Sequence, residues 1–261
     1  MIYVNGDSHS AGADIIPGIA FAEDDPRYLA YGRRAHPEAV VQTYGYYIAQ
    51  SMNQGFFCEA ESASSNDRIL RTTKQYIRDT KDKKSIRYII IGWSSTEREE
   101  WKLGEDYLQV TASGIDSVPE SMEEEYKEWV INQTPEESKR KEQLWYNRIW
   151  DFHCELKEQN IRHLFFNSTN RFTDDNKNWE FNFIPIAFCE WAANQGFNTV
   201  GNSNHYGADA HRAWGKYLLS VCKKLLIIDK ELGFVNNPRL TTQRKHIILD
   251  KVKQEFKGLK R

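Results

Sequence analysis

Lys81-Asp82-Lys83-Lys84-Ser85-Ile86-Arg87-Tyr88-Ile89-Ile90-Ile91-Gly92 is the stretch that decides the fold. A charged run stops, an apolar run rich in β-branched residues follows, and a glycine closes it. A strand with one wet face alternates apolar and polar residues. Ile89-Ile90-Ile91 does not alternate, so Ile86–Ile91 reads as a strand buried on both faces, the pattern of a parallel sheet covered by helices.

Working outward, the same grammar repeats. Ile2–Asn5 is a short β-type run ending at the small-residue turn Gly6-Asp7-Ser8. Thr43–Met52 reads as a helix and Phe56-Phe57-Cys58 as a second strand. Asn66 is expected to cap a helix to about Thr80, with Ile69, Leu70, Thr73 and Ile77 on one face. Beyond Gly92, Ser121–Gln159 is helical and charged. It is broken at Pro135, with Thr134 capping the second half and Trp145, Ile149, Phe152 and Leu156 forming a packing stripe. Arg162–Phe166 is a further strand and His211–Ile227 a further helix. Strands alternating with helices predict an α/β fold, a three-layer α/β/α arrangement with a central parallel sheet of about five strands. The reading is one domain over 1–261, with insertions at about 18–41, 102–140 and 169–195 and a last helix at about 241–258. Ligands of such sheets bind beyond the carboxyl ends of the strands.

Composition narrows the function. Thirty-five basic and 37 acidic residues leave a formal charge of −2, which argues against a strong nonspecific hold on nucleic acid or on an anionic membrane. The basic tail (Lys251, Lys253, Lys257, Lys260, Arg261) reads as a solvated helix end. No charged leader precedes the first apolar run, and no segment approaches the roughly 20 apolar residues that cross a bilayer. A cytoplasmic location follows as the expectation. Cys58, Cys154, Cys189 and Cys222 are widely spaced without a CxxC pair, which suits reduced thiols rather than disulfides or zinc.

Two blocks carry the chemistry. Asn5-Gly6-Asp7-Ser8-His9-Ser10 follows the first strand, and Asn202-Ser203-Asn204-His205-Tyr206-Gly207-Ala208-Asp209-Ala210-His211 lies near the far end. The first resembles the opening block of the SGNH (GDSL) hydrolases, the second their closing Asp-x-x-His-Pro-Ser-x-x-Gly-His block. The resemblance spans about residues 1–220 and implies a flavodoxin-like SGNH fold. It also implies Ser8 as nucleophile and oxyanion donor, with His205 as its base, and a mechanism that needs neither metal nor organic cofactor. Between the blocks the match is one of placement. Ala63 and Ser64 stand where the family has an oxyanion-hole glycine, and Ser94, in Gly92-Trp93-Ser94-Ser95, stands where it has asparagine. Asn202 occupies the family's acid position. An amide there stabilises an imidazolium poorly, which leaves three alternatives: a backbone carbonyl, a carboxylate from elsewhere such as Asp209, or no catalysis. Ser62–Arg68 and Gly92-Trp93-Ser94 look most like SGNH-type proteins of tailed phages.

The residue types suit the chemistry. A serine hydroxyl becomes a useful nucleophile once an imidazole can take its proton. A tetrahedral oxyanion needs preset donors, each worth about 3–4 kcal/mol. The N–H groups of Ser8 and of Ala63 or Ser64, and the Ser94 hydroxyl, are the candidates, with Asp7 beside them. Arg98 is read either as a ligand for a substrate anion or as a partner of Glu99 or Glu100. His9 reads as a helix-start residue beside the site or at the surface, His211 as a packing residue, and His153 and His163 as surface or strand-edge residues. Trp93 lines a pocket or packs beneath it.

Three functions compete. The first is a serine esterase, with a small-molecule or carbohydrate ester as substrate; the aromatic content tilts the choice towards acylated sugars. The second is an inactive SGNH-like binding or structural module, with the insertions as oligomer or particle contacts, in the virion for a phage-encoded chain. The third is a metallophosphoesterase, for which Asp7-Ser8-His9 offers an Asp-x-His pair but the partner motifs Gly-Asp-x-x-Asp and Gly-Asn-His-Asp/Glu are missing.

Overall fold

The runs read as strands become strands, and helices fill the intervals. The computed structural model describes residues 1–22, 33–112, 114, 118–171 and 182–232. From the amino end come β1 (Ile2–Gly6), α1 (Ser8–Ala11), β2 (Arg33–Arg34), α2 (Pro37–Val40), α3 (Tyr44–Ser51) and β3 (Phe56–Cys58). Then follow β4 (Glu61–Ser62), α4 (Asn66–Asp79), β5 (Tyr88–Trp93), β6 (Glu99–Leu103), β7 (Asp106–Val110) and α5 (Glu123–Ile131). The last are α6 (Pro135–Glu158), β8 (His163–Asn167), α7 (Phe188–Asn194) and α8 (Ala208–Leu232). The chain divides into two units, Met1–Lys216 and Tyr217–Arg261. The second is described only to residue 232, all of it helical. The expected helix at about 241–258 lies outside the described residues.

The protein is α/β, with a central sheet of order β3-β1-β5-β8, parallel throughout and flanked by helices. Every residue of β1, β5 and β8 is buried, as their non-alternating composition requires. On one face Tyr3, Ile89, Ile91, Trp93 and Phe165 join Ile69 and Ile77 of α4 and Trp145, Ile149, Phe152 and Leu156 of α6 in one apolar cluster. Trp93 is fully buried there, so it packs beneath the site. On the other face α3 presses so close that a Cβ on Gly45 would lie 2.6 Å from Val4, and the Tyr44 ring meets Phe166.

Among the described residues the sheet has four strands, where about five were expected. In the fifth place a single parallel bridge, Phe165 to Phe183, runs along β8, with Phe165 N–H donating to the Asn182 carbonyl and Ile184 N–H to that of Phe165. The helix after β4 is capped by Ser65, whose hydroxyl accepts from Arg68 N–H, and Asn66 is its first residue. Thr134 caps α6 and Pro135 opens it, as read. His153 and His163 are buried against each other, ring nitrogens 2.7 Å apart, rather than on the surface. The 102–140 segment has an apolar core of its own. The antiparallel β6–β7 pair and α5 enclose Leu108, Val110, Val118 and Tyr126 under Trp101 and Trp129.

Among the described residues no helix is long and apolar enough to cross a membrane.

Candidate active site

The chain passes from β1 outward to β3, then back across β1 to β5, so its direction of travel reverses between β1 and β5. The carboxyl ends of two such strands leave a crevice that no crossover covers. Gly6 and Gly92 are paired there. A Cβ on Gly6 would lie 2.7 Å from the Gly92 carbonyl oxygen and 2.1 Å from Ser10 Oγ, so only glycine lets the chain turn at this point. Asp7 then caps α1, its Oδ1 accepting from His9 N–H. Ser8 becomes the first residue of that single turn, a position whose N–H has no intrahelical acceptor; no other partner for it exists among the described residues.

Across the sheet edge, the loop before α8 brings His205 to Ser8. Ser8 Oγ and His205 Nε2 are 2.8 Å apart, across 197 residues of sequence. His205 Nδ1 lies 2.7 Å from Asp14 Oδ2. A carboxylate can only accept, so Nδ1–H donates to Asp14; in the neutral ring this leaves Nε2 as the acceptor facing the serine hydroxyl. The side chains of His205 and Asp14 are 21% and 16% exposed, so the pair is partly desolvated and its charge interactions are strengthened.

Asp14 is the residue that sequence reasoning missed. Asn202, at the position expected to serve His205, is exposed, and the His205 ring bonds to Asp14 and Ser8 instead. Asp209, the other carboxylate considered, accepts from its neighbour's Ala210 N–H. The carboxylate beside His205 instead comes from the loop that carries Ser8. Gly12, at φ +79°, ends α1 where a Cβ would press within 2.8 Å of Thr43. The chain turns, and Asp14 adopts φ +59° with its N–H bonded to the Ile19 carbonyl. Aspartate is among the few residues that accept a left-handed conformation readily. The signal for it was faint: an aspartate between Gly12 and Pro17-Gly18, with no periodicity around it.

The remaining candidates divide. Ala63 sits at φ +65°, and its N–H has no partner among the described residues. The Ser64 N–H is engaged by the Glu61 carbonyl, which takes Ser64 out of the donor set. α1 packs on β4, which leads into this turn. Ser94 is 2% exposed, and its hydroxyl accepts from Arg98 Nη1 at 3.0 Å. Its backbone is clamped by Asn66, which donates to the Ser94 carbonyl and accepts from its N–H. Arg98 reaches neither Glu99 nor Glu100. It pairs with Asp7, Nη1 to Oδ2 at 3.5 Å.

His9 and Asp7, offered by the sequence as a metal pair, are engaged otherwise. The His9 ring lies 3.5 Å from the Cys189 sulfur and 4.9 Å from the centre of the His205 ring. Burial lowers its pKa to about 4, so it stays neutral. Burial likewise pushes the Cys189 thiol up to about 12 and the His211 imidazole down to about 3. His211 packs flat against Tyr44, ring centres 5.8 Å apart. Among the described residues no three His, Cys, Asp or Glu side chains converge as metal ligands would.

Comparison with known proteins finds no matching family model, no matching curated protein and no matching solved structure.

Proposed function

We propose that the chain is a serine esterase of SGNH-like character that cleaves small acyl esters through an acyl-enzyme. The observation that carries the reading is the unbroken series Ser8 Oγ, His205, Asp14, with steps of 2.8 and 2.7 Å. Ser8 Oγ attacks the ester carbonyl while His205 Nε2 takes its proton, and Asp14 stabilises the imidazolium. The N–H groups of Ser8 and Ala63 serve as oxyanion donors in this scheme. His205 then returns the proton to the departing alcohol, and water repeats the sequence on the acyl-Ser8. A sugar O-acyl ester remains the carbohydrate form of this proposal, and a cytoplasmic or virion setting goes with it.

The test is labelling by a fluorophosphonate probe together with hydrolysis of 4-nitrophenyl acetate. Wild type is expected to label at Ser8. Ser8→Ala and His205→Ala should each lose about 10³-fold or more in kcat. Equal rates in all three proteins, with no labelling, would sink the proposal. The second reading, a module that binds without turnover, draws support from the 7% exposure of Ser8 and from the engaged Ser64 N–H. It predicts a protein that folds and binds but does not label.

A further inference from the structure

Arg98 stands at the reversal point between β1 and β5 with one side of its guanidinium in use and the other idle. Nη1 donates to Ser94 Oγ at 3.0 Å and faces Asp7 Oδ2 at 3.5 Å. Those two contacts tie it to the ends of both strands, beside the residue that precedes Ser8. Nε and Nη2 have no partner among the described residues, and the side chain is 25% exposed. Nε–H and one Nη2–H point in parallel, the edge of a guanidinium that matches the two oxygens of a carboxylate.

Other arginines of this chain show what that edge takes. Arg71 fills it with Glu100, Nε and Nη2 each 2.7 Å from a carboxylate oxygen. Arg140 fills it with Glu137, and Arg171 with Glu190. Arg98 has the same edge held in place, partly open to solvent and next to the nucleophile. Asp7, fully buried, offsets the charge of Arg98. What Arg98 offers a ligand is therefore a preset pair of donors in fixed orientation rather than long-range attraction.

The geometry points to a substrate that carries a carboxylate a few atoms from its scissile ester, bound by Nε and Nη2 of Arg98. The inference rests on the esterase reading and narrows its substrate class. The experiment measures kcat/KM for two esters, 4-nitrophenyl butyrate and mono-4-nitrophenyl glutarate, which differ by a terminal carboxylate. Wild type is expected to favour the glutarate ester about tenfold or more. Arg98→Gln should bring the ratio of the two values near one. Arg98→Lys, which keeps a cation opposite Asp7, should retain only part of the preference. A ratio that Arg98→Gln leaves unchanged, or a wild type that prefers the butyrate, would overturn the inference while the esterase stands.

If wild type cleaves neither ester, calorimetric titration of the Ser8→Ala protein with glutarate separates the two ideas. Binding that Arg98→Gln abolishes in that background keeps the carboxylate site and removes the esterase. No glutarate binding removes both.

Discussion

The two loops that meet at the candidate site are built in opposite ways. The loop after β1 is set into the sheet. Asp7, Ser8, His9 and Ser10 are all buried, Gly6 has no room for a side chain, and one helical turn holds Ser8 while the next bend delivers Asp14. The loop before α8 lies outside, with Asn202 and Asn204 exposed. Its bonds are mostly local: Val200 N–H to the His205 carbonyl, Ser203 N–H to the Val200 carbonyl, His205 N–H to Ser203 Oγ and an antiparallel bridge between Thr199 and Tyr206, with the Tyr206 hydroxyl donating to the Cys189 carbonyl. Ser8 and Asp14 are thus held together by one segment, and His205 is carried to them on another. The imidazole is oriented by Asp14 more than by its own loop.

That contrast is broken most severely at Asp14. Asn tolerates a left-handed backbone as well as Asp does, so Asp14→Asn should fold normally. Its amide NH₂ can donate to the imidazole and favour the tautomer with Nε2–H, which cannot take the serine proton. A loss of about 10⁴ in kcat is expected, the size of the same exchange in the serine-protease template. Asn202→Ala, on the outer loop, should leave kcat within about twofold. Reversed results on 4-nitrophenyl acetate would return the acid position to residue 202 and undo the contrast.

The difference between the loops also explains what could be read in advance. Gly-Asp-Ser after the first strand and the His205 block are local in sequence, and their chemistry is written in consecutive residues. The buried strands announce themselves by composition, because a non-alternating run has one stable home. Asp14 carries no such mark. Its role follows from a positive φ two residues after Gly12 and from a histidine 191 residues away. Asn66 looks like a helix cap because asparagine often is one, yet its amide clamps Ser94 across 28 residues. His153 and His163 sit on a helix and a strand, and only their packing makes them partners.

A second effect, in stability, belongs to the buried histidines. Burial holds His9 near 4 and His163 and His211 near 3. In the unfolded chain each binds a proton below about pH 6.5. The unfolded state therefore binds more protons than the folded one between pH 6.5 and about 4, and stability falls as pH drops through that window. Each group contributes up to about 1.4 kcal/mol per pH unit. Carboxylates titrate mostly lower, so urea midpoints measured between pH 7 and 5 isolate the histidines. A clear fall is expected in wild type and a shallower one in His9→Asn. A midpoint that does not change over that range would show that these rings are charged or accessible.

The smallest effect tests whether the turn at Ala63 acts through its backbone N–H rather than through its side chain. Ala63 holds φ +65°, a conformation that costs a residue with a Cβ about 1 kcal/mol. Ala63→Gly removes that strain and gives back part of the gain through a freer unfolded chain. The net expectation is a stabilisation of up to about 0.5 kcal/mol, read as a rise of a degree or two in Tm. The N–H stays where it was, so kcat on 4-nitrophenyl acetate should change less than about threefold. Ala63→Pro deletes the N–H and imposes a φ near −65°, and it should lose both stability and rate. If glycine slowed the reaction as much as proline, the methyl group rather than the N–H would be the working part of this turn. The donor opposite Ser8 would then have to come from elsewhere on the sheet edge.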